Sequence, residues 1–390
     1  MTHLTHAIAV PRTMRIGGGS VDETGDVLRD LGARRPLIVT DAFLVSTGQV
    51  DRLVASLEAS GASVAVYSDT VPDPTTDSLT PAKAALAAHC ADSVIGFGGG
   101  SPMDTAKALA VLGVNDRPMR EFKAPSVYTG PALPIVAIPT TAGSGSEATQ
   151  FTVITDSATD EKMLCIGTSF LPIAAIIDYR LTLSMPARLT ADTGIDALTH
   201  AVEAYVSRKA NAFSDGLCLL AIRAIGQNIR RVVADGSDEQ ARAAMMMAAT
   251  QAGMAFSNSS VALIHGMSRP IGAHFHVAHG LSNAMLFPAV TRYSIDGAAD
   301  RYADCARAMG LATEHEPSAG AAANFVDGIA ELCRDLTVPT PQHYGISRAE
   351  WDRLIPTMAE QALASGSPAN NPRVPGADDI EAIYNEIYAR

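Results

Sequence analysis

Asp196 and His200 stand four residues apart in Thr193-Gly-Ile-Asp-Ala-Leu-Thr-His-Ala-Val-Glu-Ala-Tyr205, a spacing that puts a carboxylate and an imidazole on one face of a helix. Such a pair is a two-point grip for a cation. The stretch from His265 to Gly280 holds His265, His274, His276 and His279, four of the ten histidines of the chain. Further imidazoles can therefore close a coordination sphere from a second segment. One carboxylate with two or three histidines suits Fe²⁺ or Zn²⁺. An isolated Asp-x-x-x-His pair is more often an exposed helix pair or a cap. Here Ile195, Ala197, Leu198, Ala201, Val202 and Ala204 make the helix apolar on most sides, and an uncompensated Asp and His would be costly there. A bound metal is the simplest compensation.

A second kind of chemistry is written in glycines. Phe97-Gly-Gly-Gly-Ser-Pro-Met-Asp-Thr-Ala-Lys107 follows a buried strand and opens a helix, so its backbone can approach a diphosphate at the helix N-terminus; the plain alternative is a tight turn. Gly17-Gly-Gly-Ser20 is a rival cradle, because Asp41, at the end of the next strand, lies where a Rossmann protein places its ribose carboxylate. Pro139-Thr-Thr-Ala-Gly-Ser-Gly-Ser-Glu147 follows another strand and offers hydroxyls to a ribose, a phosphate or a nicotinamide amide, or else is an ordinary polar loop. Val71-Pro-Asp73-Pro74 is a rigid turn or part of an adenine pocket.

These residues need elements to hold them. Leu37–Thr40, Ser63–Tyr67, Ser93–Phe97 and Pro134–Ile138 are short β-branched runs separated by helical stretches at Gln49–Ser60, Asp77–Cys90 and Met103–Leu112, the pattern of a parallel, doubly wound sheet. Further strands are expected at Gln150–Thr155, Met163–Ile166 and Ile173–Asp178. From Pro186 onward the apolar spacing is near 3.6, with helices expected at Arg188–Ser207, Ser214–Ala234, Asp238–Phe256, Asp300–Met309, Ala321–Leu336, Arg348–Ala364 and Asp378–Tyr388. The boundary belongs near Leu183 to Pro186, giving domains 1–184 and 185–390, and Ser365–Gly376 reads as a surface loop.

Composition bounds the function. The chain has 390 residues, 47% hydrophobic and 18% charged, enough for a large core and two domains. Twenty-nine basic against 41 acidic residues leave a net charge of −12, which argues against a general binder of nucleic acid or anionic membrane. Five scattered cysteines without CxxC spacing fit free thiols in a reducing compartment. The N-terminus lacks the basic and apolar regions of a leader, so a cytoplasmic protein is expected.

With Val39-Thr-Asp41, Gly98 to Lys107, Pro139 to Glu147, Thr193 to Tyr205 and His265-Gly-Met to His279-Gly-Leu-Ser-Asn-Ala284 in place, the chain resembles, nearly end to end, the iron-containing or group III alcohol dehydrogenases. The resemblance implies a Rossmann-like α/β N-terminal domain and an all-α C-terminal domain, the dehydroquinate synthase-like architecture, with NAD and metal in a cleft. It implies metal ligation by Asp196, His200, His265 and His279. It places the diphosphate at Gly98, Gly99, Gly100 and Ser101, with Asp104, rather than at Gly17 to Ser20. Thr140, Thr141, Ser144, Thr149, Lys162, Asp73 and Asp41 then belong to the cofactor side. Where many members have a histidine four residues after the third ligand, this chain has Arg269 followed by Pro270, and where a proline often precedes the last ligand it has Ala278. His274 and His276 match no ligand position.

The reaction expected is reversible hydride transfer between an alcohol and NAD, with a divalent metal polarising the substrate oxygen. Asp41 should favour NAD over NADP by repelling a 2′-phosphate, unless it is merely a helix cap. Arg269 adds a fixed charge and a carboxylate fork, so an anionic or strongly polar substrate is expected unless Arg269 pairs with a protein carboxylate. The partner expected is a small alcohol or aldehyde, with no nucleic acid and no membrane, and the assembly expected is a homodimer. The competing classes are a maleylacetate reductase-like, dehydroquinate synthase-like or hydroxy-acid-dehydrogenating relative, and a non-catalytic metal- or nucleotide-binding protein.

Overall fold

The computed structural model describes residues 5–389. The chain divides into two compact units, one of Ala7–Ser184 and one running from Met185 onward that also takes in residues 5 and 6.

The first unit is built on six parallel strands. They are β1 (Thr13–Ile16), β2 (Pro36–Val39), β3 (Ala65–Tyr67), β4 (Ser93–Gly98), β5 (Ile135–Pro139) and β8 (Ala174–Ile177), in the order β1-β8-β5-β4-β2-β3. Helices α1 (Thr24–Asp30), α2 (Ala42–Ser46), α3 (Gln49–Ala59), α4 (Leu79–His89) and α5 (Gly100–Leu112) connect them. The strands β2, β4, β5 and β8 are buried on both faces, which is why they read as unbroken apolar runs rather than as alternation. Their side chains still divide with period two. Ile38, Ile95 and Phe97 join Val27, Leu28, Leu53 and Leu57 in one core, while Leu37, Val39 and Val94 join Ala106, Leu109 and Ala110 in the other.

Two features of this unit depart from the pattern expected of its sequence. β6 (Phe151–Asp156) and β7 (Glu161–Ile166) form a separate antiparallel hairpin, with Phe151 opposite Ile166 and Asp156 opposite Glu161. Its burial alternates, and its inner face (Ile154, Met163, Cys165) packs with Val111, Phe122 and Phe170. β1 was not expected at all: it is a short edge strand carrying Arg15, paired only with β8, and half-exposed edge strands leave little apolar signal.

The second unit is helical: α6 (Ala187–Val206), α7 (Ala212–Ala234), α8 (Glu239–Ser257), α9 (Leu263–Phe275), α10 (His279–Ser294), α11 (Ala299–Met309), α12 (Ser318–Asp335), α13 (Pro341–Tyr344), α14 (Arg348–Ala364) and α15 (Ala377–Ile387). α6 is buried along nearly its whole length and packs against α7, α8 and α10. The histidine-rich stretch, which sequence pattern assigned to no element, forms α9 and α10. Each carries an internal proline, Pro270 and Pro288, the residue that most obscures a helix in a sequence. Ser365–Gly376 is not simply a surface loop. Ser367–Asn370 forms a 3₁₀ turn, and Ser367, Pro368, Asn370 and Asn371 are buried. Asn370 Nδ2 donates to Ser260 Oγ at 2.8 Å and Asn371 Nδ2 to Ser294 Oγ at 2.9 Å, so polar residues enter the interior with partners. Among the described residues, no helix is long and apolar enough to cross a membrane.

Candidate metal centre and cofactor edge

Three helices of the second unit bring Asp196, His200, His265 and His279 together, with one donor atom of each within 4.8 Å of all the others. α6 carries the first pair a turn apart, α9 carries His265 in its first turn, and α10 begins at His279. Gly280 permits that last approach, because a Cβ there would lie 2.4 Å from the backbone oxygen of Asp192 and 3.3 Å from Asp196 Cβ. Asp196 Oδ1 is 3.8 Å from His265 Nε2 and 3.7 Å from His279 Nε2. Donors held at about 2.1 Å from one tetrahedral metal stand roughly 3.4 Å apart, so the set is close to closed around an ion. Its chemistry, one carboxylate oxygen and three imidazole nitrogens, fits Fe²⁺ or Zn²⁺. Asp196, His200 and His265 are buried, while 51% of the His279 side chain is exposed. The His200 ring is clamped by stacking on Phe256 at 4.4 Å and on His265 at 4.5 Å.

Around these four lies a shell of groups that sequence reading did not single out. Glu203 is buried, and its carboxylate accepts from the backbone N–H of Ala262 (2.9 Å) and Ile264 (2.5 Å) and lies 2.6 Å from His265 Nδ1. Burial pushes its carboxyl up to about 7 against the pull of the backbone N–H groups at the start of α9. Asn283, fully buried on α10, donates its amide to Asp196 Oδ1 at 2.7 Å and faces His265 Nε2 at 3.3 Å. A signal for Glu203 was present: Asp196, His200 and Glu203 recur at i, i+4 and i+7, one stripe of α6. Asn283 has the same relation to His279, one turn along α10.

Arg269 stands one turn beyond His265 on α9, and its positive field reaches both His265 and His279. Its Nη1 donates to Ser367 Oγ at 3.1 Å, and among the described residues it enters no ion pair. The expected alternative, an arginine turned away to a protein carboxylate, is therefore not the arrangement found. His274 pairs with Gln361 Oε1 at 2.9 Å, and His276 ends α9 in the left-handed region with φ of 54°. Neither belongs to the four-donor cluster.

In the first unit the expected cofactor residues gather at the carboxyl ends of β2, β4 and β5. The chain leaves β2 toward β3 but leaves β4 in the opposite sense toward β5, and ligands of open α/β sheets bind at such a reversal. Gly98 has φ of +153°, and a Cβ on it would sit 2.6 Å from Pro102 Cγ; only glycine makes this entry into α5. Gly99 caps α5 without a side-chain bond. The first N–H groups of the helix are thus left for an outside acceptor. A Cβ on Gly99 would stand 3.5 Å from Thr141 Cγ2, and one on Gly100 3.9 Å from Ser144 Cβ. The loops after β4 and β5 therefore form one rim, which includes Ser101, Thr140, Thr141 and Ser144.

The rival glycine run is already filled. Asp178 Oδ2 accepts from the backbone N–H of Gly19 at 2.8 Å and of Val21 at 3.3 Å, so a protein carboxylate occupies the anion position at Gly17 to Ser20. Asp41 caps α2, accepting from Leu44 N–H at 2.9 Å through Oδ1; the cap role is real and engages one of its two oxygens. Asp73 and Lys162 pair with each other at 3.0 Å. Asp104 and Thr149 are turned inward. Asp104 accepts from Ser146 Oγ and from Val153 N–H. Thr149 Oγ1 accepts from Lys107 Nζ at 2.9 Å. Lys107, at the end of the glycine motif, is fully buried and also donates to the backbone oxygens of Thr149 and Phe151. Burial lowers its ammonium to about 8 and raises the neighbouring Asp104 carboxyl to about 6. This network ties α5 to β6 beneath the rim.

Comparisons with known proteins find relatives over both units. Residues 11–179 match the model for iron-containing alcohol dehydrogenase, and residues 190–388 match that for the C-terminal region of the Fe-containing alcohol dehydrogenase family. The chain is 38% identical to long-chain-alcohol dehydrogenase 1 of Geobacillus thermodenitrificans (strain NG80-2), covering 98% of this chain and 96% of that one. It is 34% identical to an NAD-dependent methanol dehydrogenase of Bacillus methanolicus, covering 96% and 97%. The crystal structure of a 1,3-propanediol oxidoreductase superposes with a TM-score of 0.95 at 34% identity, covering 99% of this chain and all of that one. An α/β sheet unit with a glycine-lined helix entry and a helical unit with an Asp-His-His-His cluster thus carry the same sequence relationship from end to end, and the chain belongs to the iron-containing alcohol dehydrogenase family, enzymes that oxidise alcohols and reduce aldehydes.

Proposed function

We propose that the chain catalyses reversible hydride transfer between NAD and a small alcohol or aldehyde, with Asp196, His200, His265 and His279 holding a divalent metal. The observation that carries this reading is the convergence of those four donors from three helices. When bound, the metal polarises the substrate oxygen and the nicotinamide exchanges the hydride. The protein's own part is positioning and charge. The unpaired N–H groups at the start of α5 suit a diphosphate, the second oxygen of Asp41 suits a ribose hydroxyl, and Thr140, Thr141 and Ser144 line the same rim. Asp104, Thr149 and the Asp73–Lys162 pair support that edge.

The substrate class is read from Arg269. A partly buried guanidinium with a serine hydroxyl for company, inside the field of the metal histidines, is suited to a carboxylate or similar anionic group on the substrate. A hydroxy acid or a semialdehyde meets that description. The relatives named above are called after neutral alcohols of very different length, so the family by itself does not choose. We further propose a homodimer, in which the open edge of β1, with Ile16 exposed, pairs with a second copy. A reducing, cytoplasmic setting is supported by five free cysteines.

The test is metal analysis on anaerobically purified protein together with NADH absorbance across a panel of neutral and acidic alcohols and aldehydes. His265→Ala should lose most bound metal and turnover while remaining folded. Full metal occupancy and turnover in that variant would overturn the ligand assignment, and oxygen-sensitive activity restored by ferrous salt would select iron over zinc.

A further inference from the structure

The two nitrogens of the His265 ring are held by opposite kinds of group. Nδ1 lies 2.6 Å from Glu203 Oε2, an oxygen that also accepts from Ala262 N–H, while the other carboxylate oxygen accepts from Ile264 N–H. An ionised carboxylate can only accept, so Glu203 in that form calls for the hydrogen on Nδ1. Nε2 faces the amide nitrogen of Asn283 at 3.3 Å. That amide is oriented by its 2.7 Å bond to Asp196 Oδ1, an acceptor, so it presents N–H rather than oxygen. Both sides of the ring then demand one tautomer, with Nδ1 protonated and Nε2 bare and pointing at the cluster of donors.

We infer that Glu203 is a positioning residue for the metal centre: it locks His265 in the tautomer whose Nε2 lone pair faces the ion. This rests on the ligand assignment proposed above. Glu203 lies on the same α6 stripe as Asp196 and His200, so one helix supplies two ligands and the group that orients a third. The contact also fixes the register of α9 against α6, because the same carboxylate receives backbone N–H groups at the start of α9. A carboxylate behind a metal-bound imidazole raises the basicity of the ligand and fixes its ring, and losing such a partner typically weakens metal binding by about 10- to 100-fold.

Glu203→Gln separates the orienting role from simple occupancy, since the amide keeps the volume but has only one acceptor oxygen. Whichever way it is turned, it either presents N–H to His265 Nδ1 or faces Ile264 N–H with a donor. The measurements are Zn²⁺ affinity by chelator competition on the full chain, and the protonation of the His265 ring by ¹⁵N NMR on histidine-labelled, metal-free protein. In the wild type, His265 should be protonated on Nδ1. In Glu203→Gln, where one of the contacts to Nδ1 and to Ile264 N–H must fail, the Zn²⁺ dissociation constant should rise about 10- to 100-fold. In a His265→Ala background the same change should have little further effect on Zn²⁺ affinity. A dissociation constant within about twofold of wild type, or an equal loss with His265 absent, would each overturn the inference. The wild-type spectrum decides independently of the variant's folding, because a ring protonated on Nε2 would overturn it outright. Failure of the ligand assignment itself is distinguishable, since His265→Ala alone would then leave Zn²⁺ binding unchanged.

Discussion

The residue on which the proposed substrate class rests is Arg269. Ser367 Oγ accepts from its guanidinium, and the negative field of Glu203 favours its charge. An anionic substrate group would give the guanidinium the direct ion-pair partner it does not have among the described residues. Arg269→Leu should therefore reduce kcat/KM on an acidic substrate by on the order of 100-fold, the scale of a lost charge-assisted pair, and on a neutral alcohol of the same length by much less, with metal content nearly unchanged. Equal losses on both would return Arg269 to a structural role. The residue type was visible in the sequence, as was its place one turn after His265. Its lack of an acidic partner was not, because that depends on which side chains the fold brings near.

Among the elements, the step from β2 into α2 is where the proposed nucleotide preference rests. Asp41 ends the strand and caps the helix through one oxygen, so both functions foreseen for it share one carboxylate. Asp41→Gly keeps a residue tolerated at an N-cap, at a cost of only a few tenths of a kcal/mol, and so leaves the fold intact while removing the charge that repels a 2′-phosphate. The ratio of kcat/KM for NAD to that for NADP should fall by at least about tenfold, the scale of one like-charge contact relieved. An unchanged ratio would leave Asp41 as a cap alone. The two glycine runs show why elements matter here. By composition they are equivalent, but Asp178, distant in sequence, fills the first with its carboxylate, whereas the second opens α5 with no side-chain cap.

For the molecule as a whole, each unit has its own core and its own set of candidate ligating groups. Ligand binding stabilises what it touches by mass action, about 2.7 kcal/mol at a hundredfold excess over the dissociation constant. Hydrogen exchange should therefore slow in α6 and the start of α9 and α10 when metal is added to stripped protein, and around Gly98–Ser101 and Thr140–Ser144 when NADH is added. Metal-dependent protection confined to Ala7–Ser184 would contradict the division of labour.

Periodicity and composition alone determined most of the architecture: the parallel strands other than β1, seven of the long helices and the change from an α/β to an all-α region all leave local apolar patterns. The candidate metal ligands were legible in part for the same reason, since Asp196 and His200 are neighbours on one helix. Joining His265 and His279 to them required family resemblance, because nothing local in the sequence selects those two over His274 and His276. Tertiary structure decided the rest. The β6–β7 hairpin left the main sheet, the prolines of α9 and α10 hid two helices, and the Ser365–Gly376 segment went inside on side-chain hydrogen bonds. Glu203, Asn283 and Lys107 acquired their roles only through partners distant along the chain. Local spacing records which face a residue shares, but the partner that meets that face is set by packing between elements, and a tautomer or a buried charge is decided by the partner.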